Sequence, residues 1–290
     1  MHPQILHNDQ IVNGSALIVS PGQVGLVNGW GVFSTLRVYD GVLFEWDRHW
    51  ARMKKDAHRM RVPFPTESQW LEDRLLRLVE ANKAWNATLR VVVVRNKGGM
   101  WEGPAVTRPF DLIGFTAEVN QWAPTMKLGV VPQGRHAASE FSGAKYLSWS
   151  ENLTRYERAH EDGFDEVVLL NEHGEIAECT SANLFAVKGA QVSTPPLASG
   201  CLPGVTRAVL LEKIQVPGYT IEEKVLRPQD FEGADEVFLT STTREVLPVS
   251  SIHGLKVRGG SEVSNRLQRA FKEYVKEYVK AHSRTPVAKR

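Results

Sequence analysis

The sequence predicts a mixed α+β protein of two domains, and three observations carry this prediction. Short segments with alternating or β-branched apolar residues are typical of strands, and they occur in both halves of the chain. Between them lie segments whose apolar residues recur every three or four positions, as on one face of a helix. The length of 290 residues allows two domains, and the stretch N-Q-W-A-P at 120–124 separates the halves. We expect domains at 1–118 and 126–290, joined by a linker at 119–125.

Composition narrows the class of protein. Charged residues make up 23% of the chain and hydrophobic ones 42%, as in globular proteins. The net charge of +2, spread along the chain, does not favour a nucleic-acid partner. No apolar run approaches the ~20 residues of a membrane helix, and no secretory signal is visible, so we expect a cytoplasmic protein. Cys179 and Cys201 suggest neither a disulfide framework nor a metal site.

The N-terminal half alternates strand and helix signals. The Asp40-Gly41 pair predicts a tight hairpin turn, and Asp47 is a candidate N-cap for a first helix. A second helix is predicted over 66–83, with Thr66 and Gln69 as a capping box. The predicted strands are 16–20, 25–39, 42–44, 87–94 and 110–117.

Arg90 interrupts the strand at 87–94, whose nearly continuous β-branched run predicts burial on both faces. One interpretation is an arginine at the edge of the buried part of the sheet. The other is an anion clamp, because the planar guanidinium matches a carboxylate. The two interpretations have equal weight at this point.

The stretch from Lys145 to Lys188 organises the C-terminal half. Lys145 follows small residues and precedes a helix-like segment that ends near Gly163. Glu178 is expected at the entry to a strand. A lone lysine is a solvated surface group about nine times in ten, so Lys145 alone indicates little. The predicted strands are 127–131, 167–170 and 183–187, the last two joined through a polar turn at 171–174.

Two later segments could bind an anion. Pro203-Gly204 leads into an amphipathic helix, whose first N–H groups have no acceptor inside the helix, and Thr206 adds a hydroxyl. The four hydroxyl residues Thr240–Thr243 are either a polar turn or a second wall of a phosphate site. The final helix, over 264–281, is expected to pack rather than to bind.

These features together match what pyridoxal phosphate requires of a protein. It needs a lysine for a Schiff base, an acid against the pyridine nitrogen, and donors for the phosphate. ATP and dinucleotide folds are disfavoured, because the P-loop pattern and a strand-linked G-x-G-x-x-G are absent from the sequence.

The order and the sequences of these motifs resemble those of the class IV aminotransferases, the fold-type IV pyridoxal-phosphate enzymes. The resemblance extends from about Gly25 to Pro248, and its most specific part is the run from Glu157 to Lys188. Further matches are L-P-G-V-T-R, T-S-T-T and R-H-W-A-R-M. The resemblance implies a small α/β N-terminal domain and a larger C-terminal domain with a β-barrel-like core that carries the lysine. It also implies a homodimer whose partner subunit closes part of the pocket.

The resemblance implies roles for individual residues. Lys145 would bind the cofactor covalently and move a proton between substrate and cofactor, and Glu178 would pair with the protonated pyridine nitrogen. The tyrosine that family members carry a few residues after the lysine has no clear counterpart, because Tyr146 is adjacent to Lys145. The residues implied for the phosphate are Arg52, Val205, Thr206, Ser241 and Thr242.

The residues expected to contact the substrate combine sequence patterns from different enzyme groups within this family. The pair Ser34-Thr35 resembles the motif of aminodeoxychorismate lyase, whereas Arg90 resembles the pattern of the branched-chain aminotransferases. The loop at 96–101 lacks the Arg-x-His carboxylate trap of D-amino-acid enzymes. An apolar pocket could be lined by Trp30, Phe33, Met100 and Trp101, which otherwise simply pack between the domains.

We therefore expect a pyridoxal-phosphate-dependent aminotransferase. The predicted substrates are small molecules, a hydrophobic and branched-chain L-amino acid with 2-oxoglutarate as acceptor, and the predicted substrate contacts are Trp30, Phe33 and Arg90. Aminodeoxychorismate lyase and a D-amino-acid or (R)-amine transaminase stay open within the family. Outside it, a non-catalytic vitamin B6-binding protein and a relative that binds another anion without a Schiff base stay open.

Overall fold

The structure is a computed structural model that describes residues 1–100, 102–103 and 106–283. Trp101, considered above for the apolar pocket, lies outside the described residues. The chain divides into two compact units. The N-terminal unit comprises Met1–Asn120 and the chain from Glu273 onward, and the C-terminal unit comprises Gln121–Lys272. The boundaries expected at 118 and 126 stay a prediction.

The N-terminal unit contains a six-stranded antiparallel sheet with helices packed on one face. Its elements are β1 (Gln4–His7), β2 (Gln10–Asn13), α1 (Val24–Asn28), β3 (Gly31–Tyr39), β4 (Val42–Leu43), α2 (Trp46–Arg59), α3 (Ser68–Asn82), β5 (Ala87–Arg95) and β6 (Phe110–Ala117). The strands lie in the order β2-β1-β6-β5-β3-β4, and every neighbouring pair is antiparallel.

Alternation along the strands decides which side chains enter the core of this unit. Leu36 of β3 and Leu89 of β5 are fully buried and belong to one cluster with Leu75 of α3. Phe33 and Arg90 lie on the other face, and every second residue in the first half of β5 is only half-buried. The predicted burial of β5 on both faces is therefore wrong, because the helices cover one face.

The Asp40-Gly41 turn is confirmed. Both residues have positive φ angles, 47° and 81°, and Tyr39 pairs with Val42 across the turn. The strand predicted at 16–20 is wrong, because these residues form a loop in which Leu17 is fully exposed. The strand predicted from Gly25 begins only at Gly31, since the short helix α1 precedes it.

Both helix starts differ from the prediction by one or two residues. The residue that caps α2 is Glu45, whose φ of 53° turns the chain, rather than Asp47. The residue that caps α3 is Glu67, and no side-chain hydrogen bond caps the helix, so the predicted capping box is wrong. Gln69 instead donates from Nε2 to Asp73 Oδ1 at 2.8 Å, one helical turn further on.

The C-terminal unit contains an eight-stranded mixed sheet. Its elements are β7 (Met126–Val131), α4 (Ser150–Glu161), β8 (Glu166–Leu170), β9 (Ile176–Cys179), β10 (Asn183–Lys188), β11 (Gln191–Thr194), a 3-10 turn (Leu197–Ser199), α5 (Val205–Glu212), β12 (Thr220–Glu223), α6 (Pro228–Glu232), β13 (Glu236–Ser241), β14 (Glu245–Ile252) and α7 (Glu262–His282). The order is β12-β11-β10-β13-β14-β7-β8-β9, with parallel pairing of β11 with β12, β14 with β7 and β7 with β8. Cys179 N donates to Ala182 O at 2.8 Å, so the sheet curls from β9 towards β10 into a half-barrel.

The turn at 171–174 is confirmed, but it leads into β9, which was not predicted. β9 pairs with β8, whereas β10 pairs with β13. Glu178 therefore lies inside β9 rather than at the entry to β10. The four residues of β9 are all buried, so the segment lacks the alternation that would mark a strand in the sequence.

The C-terminal helix α7 packs through its apolar face, as predicted. Leu267 and Phe271 are buried. Further along, Tyr274 donates from its hydroxyl to Glu45 Oε1, and the ring of Tyr278 lies 5.1 Å from that of Phe44. The last turns of α7 thus complete the N-terminal unit. Among the helices of the described residues, none has the length and apolarity needed to cross a bilayer.

Candidate active site

Lys145 lies in the loop between β7 and α4 and is half-buried. The loop turns at Gly143, whose φ is +72°, and a Cβ there would lie 2.8 Å from Cys201 O. Only glycine fits both the backbone angle and the close approach. The ammonium nitrogen of Lys145 lies 4.6 Å from the centroid of the Trp149 ring.

Glu172, in the turn after β8, anchors the start of this loop. Its carboxylate accepts hydrogen bonds from Ala137 N at 2.7 Å and Ala138 N at 3.0 Å. The hydrogen bond from Ala137 N is the main reason that the pKa of Glu172 is lowered to about 2. The anchor ties the lysine loop to the sheet.

Glu178 presents a buried carboxylate with 5% exposure. Its Oε1 accepts from Arg135 Nε at 2.9 Å, and its Oε2 accepts from Leu202 N at 3.0 Å. Arg135 also donates from Nη1 to Asn152 Oδ1 at 3.1 Å. A buried carboxylate held by an arginine and a backbone N–H has one orientation.

A cavity within the C-terminal unit brings these features together. Its wall includes Ala144 and Tyr146, the two neighbours of Lys145, as well as Glu178 and Arg135. The other lining residues are Phe141, Gly143, Ser148, Trp149, Glu151, Asn152 and Leu202. Arg135, Trp149 and Leu202 were not predicted from the sequence, because no spacing or periodicity connects them to Glu178.

Gly204 is the N-cap residue of helix α5, and Val205 and Thr206 in the first turn of the helix are buried. Asn183 donates from Nδ2 to Leu202 O at 2.9 Å and so holds the chain before the helix. A Cβ on Gly204 would lie 2.0 Å from Asn183 Oδ1, which explains the glycine at this position. The predicted Pro-Gly entry into a helix is confirmed.

The hydroxyl run lies at the turn between β13 and β14. Thr240 pairs in register with Asn183, so the turn and the start of α5 are connected through β10. Ser241 Oγ accepts from Arg244 N at 3.1 Å, and Thr242 is half-buried. Thr240 Oγ1 is buried, and no described residue is hydrogen-bonded to it.

A buried ion pair next to this turn helps to fix its position. The guanidinium of Arg244 lies 3.6 Å from the carboxylate of Glu166, which is fully buried, and donates to Ser181 Oγ at 2.9 Å. It also lies 4.1 Å from the centroid of the Trp122 ring. The hydroxyl turn is therefore held in one position.

The donor set of the C-terminal unit fits a phosphorylated pyridine. Backbone N–H groups at the start of a helix and nearby hydroxyls are suited to a phosphate, and an anchored carboxylate to a protonated ring nitrogen. The unpartnered hydroxyl of Thr240 is what a bound phosphate or its water would satisfy. Among the residues that the structure describes, no three His, Cys, Asp or Glu side chains are grouped to hold a metal ion.

In the N-terminal unit, Arg52 lies on α2 and is buried against the helix-covered face of the sheet. It donates from Nη2 to Ser34 Oγ at 2.8 Å, and Ser34 Oγ lies 2.7 Å from His49 Nδ1. Burial lowers the pKa of Arg52 to about 10, so the guanidinium stays charged at neutral pH.

The predicted substrate contacts lie elsewhere in the same unit. The guanidinium carbon of Arg90 lies 4.0 Å from the centroid of the Phe33 ring, and burial lowers its pKa. Trp30 donates from Nε1 to Met60 O at 2.7 Å, and the guanidinium of Arg95 lies 4.0 Å from the centroid of its ring. The structure thus brings Arg90 and Phe33 together.

Comparison with known proteins identifies the family. The model of the family Amino-transferase class IV matches residues 31–252. The branched-chain-amino-acid aminotransferase of Salmonella typhimurium is 29% identical over 269 residues, which cover 84% of this chain and 83% of that protein. The D-alanine aminotransferase of Bacillus licheniformis is 28% identical over 262 residues, which cover 89% and 91%.

Solved structures agree on the fold. The branched-chain amino acid aminotransferase of Escherichia coli has a TM-score of 0.86 at 26% identity, over 94% of both chains. A branched-chain amino acid aminotransferase from T.th., solved with pyridoxamine 5'-phosphate, has a TM-score of 0.86 at 24% identity, over 97% of both chains. The predicted α+β, fold-type IV architecture is confirmed. Because the family model spans more than half of the sequence, the protein belongs to the class IV aminotransferases, which are pyridoxal-phosphate-dependent enzymes.

Proposed function

We propose that the protein transfers the amino group of a hydrophobic, branched-chain L-amino acid to 2-oxoglutarate, with pyridoxal 5'-phosphate as cofactor. The observation that carries the proposal is the buried carboxylate of Glu178, anchored from two sides in the cavity beside the Lys145 loop. The bound cofactor supplies an electron sink for the charge that develops at the substrate Cα.

Glu178 would hold the ring nitrogen of the cofactor in its protonated form. Its carboxylate is oriented before any ligand arrives, because Arg135 and Leu202 N already bind it. Each of its oxygens keeps a lone pair for a further donor. A neutral glutamine at this position would favour the unprotonated ring, which withdraws electrons less strongly.

Lys145 would bind the cofactor through Nζ and, once displaced by the substrate amine, accept the proton from Cα and return it on the cofactor side. The position of Nζ matters because proton transfer needs hydrogen-bond distance. The turn at Gly143 and the anchor at Glu172 limit the movement of this loop.

The phosphate would be bound by the first turn of α5 and by the hydroxyl turn. Val205 would contribute its backbone N–H and Thr206 its hydroxyl, while Ser241 and Thr242 would complete the set. Arg52 is proposed as a charged ligand of the same phosphate. Its guanidinium is charged at neutral pH and is oriented by Ser34.

Arg90 and Phe33 would select the substrate. The guanidinium of Arg90 offers a planar pair of donors to a carboxylate, and the ring of Phe33 beneath it offers an apolar surface. Trp30 is proposed as a further apolar contact. This combination suits an amino acid with an aliphatic side chain.

The proposal is tested by the first half-reaction. The cofactor-loaded protein is mixed separately with L-leucine, D-alanine, an (R)-aryl amine and aminodeoxychorismate, and the absorption band of the cofactor is followed. Conversion by L-leucine to the pyridoxamine form, reversed by 2-oxoglutarate, supports the proposal. An unchanged band with L-leucine contradicts it.

Two alternatives within the family have specific support. The 28% identity to a D-alanine aminotransferase keeps D-amino acids open, and D-alanine would then change the band. Ser34-Thr35 keeps the lyase open, and pyruvate would then form from aminodeoxychorismate. A non-catalytic vitamin B6-binding protein would show the band but no turnover with any of the four. A cytoplasmic location and a homodimer are proposed with the enzyme.

A further inference from the structure

The tyrosine that family members carry a few residues after the lysine has no clear counterpart in this chain, but the aromatic residue Trp149 follows Lys145 by four positions. Tyr146 is adjacent to Lys145 and lines the cavity. The ring that meets the ammonium nitrogen of Lys145 belongs instead to Trp149, with 4.6 Å between Nζ and the ring centroid. This distance is within the ~6 Å at which a cation is attracted to the face of an aromatic ring.

Backbone hydrogen bonds fix the main chain at Trp149. Trp149 N donates to Leu147 O at 2.7 Å, and Trp149 O accepts from Leu153 N at 3.1 Å in the first turn of α4. The same side chain lines the cavity that contains Glu178 and Arg135. The Trp149 side chain therefore both lines the cavity and meets the ammonium nitrogen of Lys145.

We propose that Trp149 is a positioning residue for Lys145 and that its ring binds the ammonium form of the lysine whenever Nζ is not attached to the cofactor. The proposal rests on the proposed role of Lys145. An aromatic face attracts the charged ammonium and has no comparable attraction for the neutral amine. The proton that Nζ accepts from the substrate Cα would therefore be held beside the cavity until it is returned.

The test uses the cofactor-free protein and measures the amine directly. The rate of reductive methylation of Lys145 is followed against pH by mass spectrometry, since only the neutral amine reacts. In Trp149→Leu, the midpoint of this profile is expected about half a pH unit lower, equivalent to ~2–5-fold faster labelling below the midpoint. Trp149→Phe keeps a ring and is expected to lie between the two.

Trp85→Leu is the matched control, because Trp85 is 48% exposed on the N-terminal unit and its removal should leave the Lys145 profile unchanged. A change in accessibility alters the plateau rate but not the midpoint, which separates charge binding from loosened packing. An unchanged midpoint in Trp149→Leu overturns the proposal. If that variant does not fold, a fluorinated tryptophan at 149 weakens the ring's attraction at nearly constant shape, and an unchanged midpoint there overturns it equally.

The failure of the proposed function would be distinguishable. Addition of pyridoxal phosphate should produce an imine absorption band in the wild type and not in Lys145→Ala. If the band also forms in Lys145→Ala, Lys145 is not the cofactor lysine, while the labelling profiles still decide whether Trp149 binds its ammonium.

Discussion

Arg135 and Glu178 form an ion pair of 2.9 Å although 43 positions separate them in the sequence. The pair joins the loop that precedes Lys145 to the strand β9. Its two members line one cavity, so the charge that we propose for the cofactor nitrogen is set by a loop residue as well as by the strand.

Arg135→Gln should lower the free energy of unfolding by about 1–3 kcal/mol, because it leaves a buried carboxylate without its cation. Urea denaturation measures the change. Arg266→Gln is the control, since Arg266 and Glu262 form a surface pair whose loss should cost less than about 1 kcal/mol. In the double variant with Glu178→Gln, part of the loss should be recovered. A fully additive double variant would show that the two residues do not interact.

Thr240→Val should leave the cofactor-free protein as stable as the wild type or slightly more stable, because the hydroxyl that it removes is buried without a partner among the described residues. The same variant should bind pyridoxal phosphate more weakly, by up to ~10-fold, if the hydroxyl meets the phosphate or its water. Thermal unfolding and a cofactor titration measure the two effects. Equal affinity in the variant and the wild type would contradict the assignment of Thr240 to the phosphate site.

Cys201 should resist alkylation in the folded protein. Burial raises its pKa to about 12 from an ordinary value of 9.0, so the thiolate that reacts is scarce at pH 8. Iodoacetamide labelling with and without urea measures this protection. A raised folded-state pKa contributes stability that is present below pH 9 and lost as the pH rises towards 12. Cys201→Ser should therefore lose stability less steeply over this range, and identical slopes would contradict the expectation.

Glu172→Gln should loosen the lysine loop. Since the pKa of Glu172 is lowered to about 2, its contribution to stability is present above pH 4.5 and is lost as the pH falls towards 2. The variant should flatten this acid limb of the stability profile and speed hydrogen exchange at Ala137 and Ala138. Exchange at wild-type rates would show that the carboxylate does not hold the loop.

Much of the fold could be predicted because its signals are local. The Asp40-Gly41 turn, the Pro-Gly entry into α5 and the apolar face of α7 each depend on a few adjacent residues. β9 could not be predicted, because its four buried residues have no alternating pattern. Its position depends on pairing with β8. The sequence predicts the turn between these two strands, but it does not predict the second strand.

The residues of the candidate site also fall into two groups, those that the sequence identifies and those that it does not. Residues in motifs, such as Glu178 and Thr206, could be identified from a resemblance, and their proposed roles are still to be tested. Arg135 could not be identified, because it lies in irregular chain and meets Glu178, 43 positions away, only after folding. Contacts across distant parts of a sequence are set by the topology, which a local pattern does not contain.

The helix α7 supplies Tyr274 and Tyr278 to Phe44 and Glu45 of the N-terminal unit. During synthesis on a ribosome these tyrosines emerge long after the N-terminal sheet. The N-terminal unit therefore stays incompletely packed until α7 has been synthesised. A nascent chain stalled before Glu273 should be more sensitive to proteases within its N-terminal unit than the released protein, despite containing every strand of that sheet.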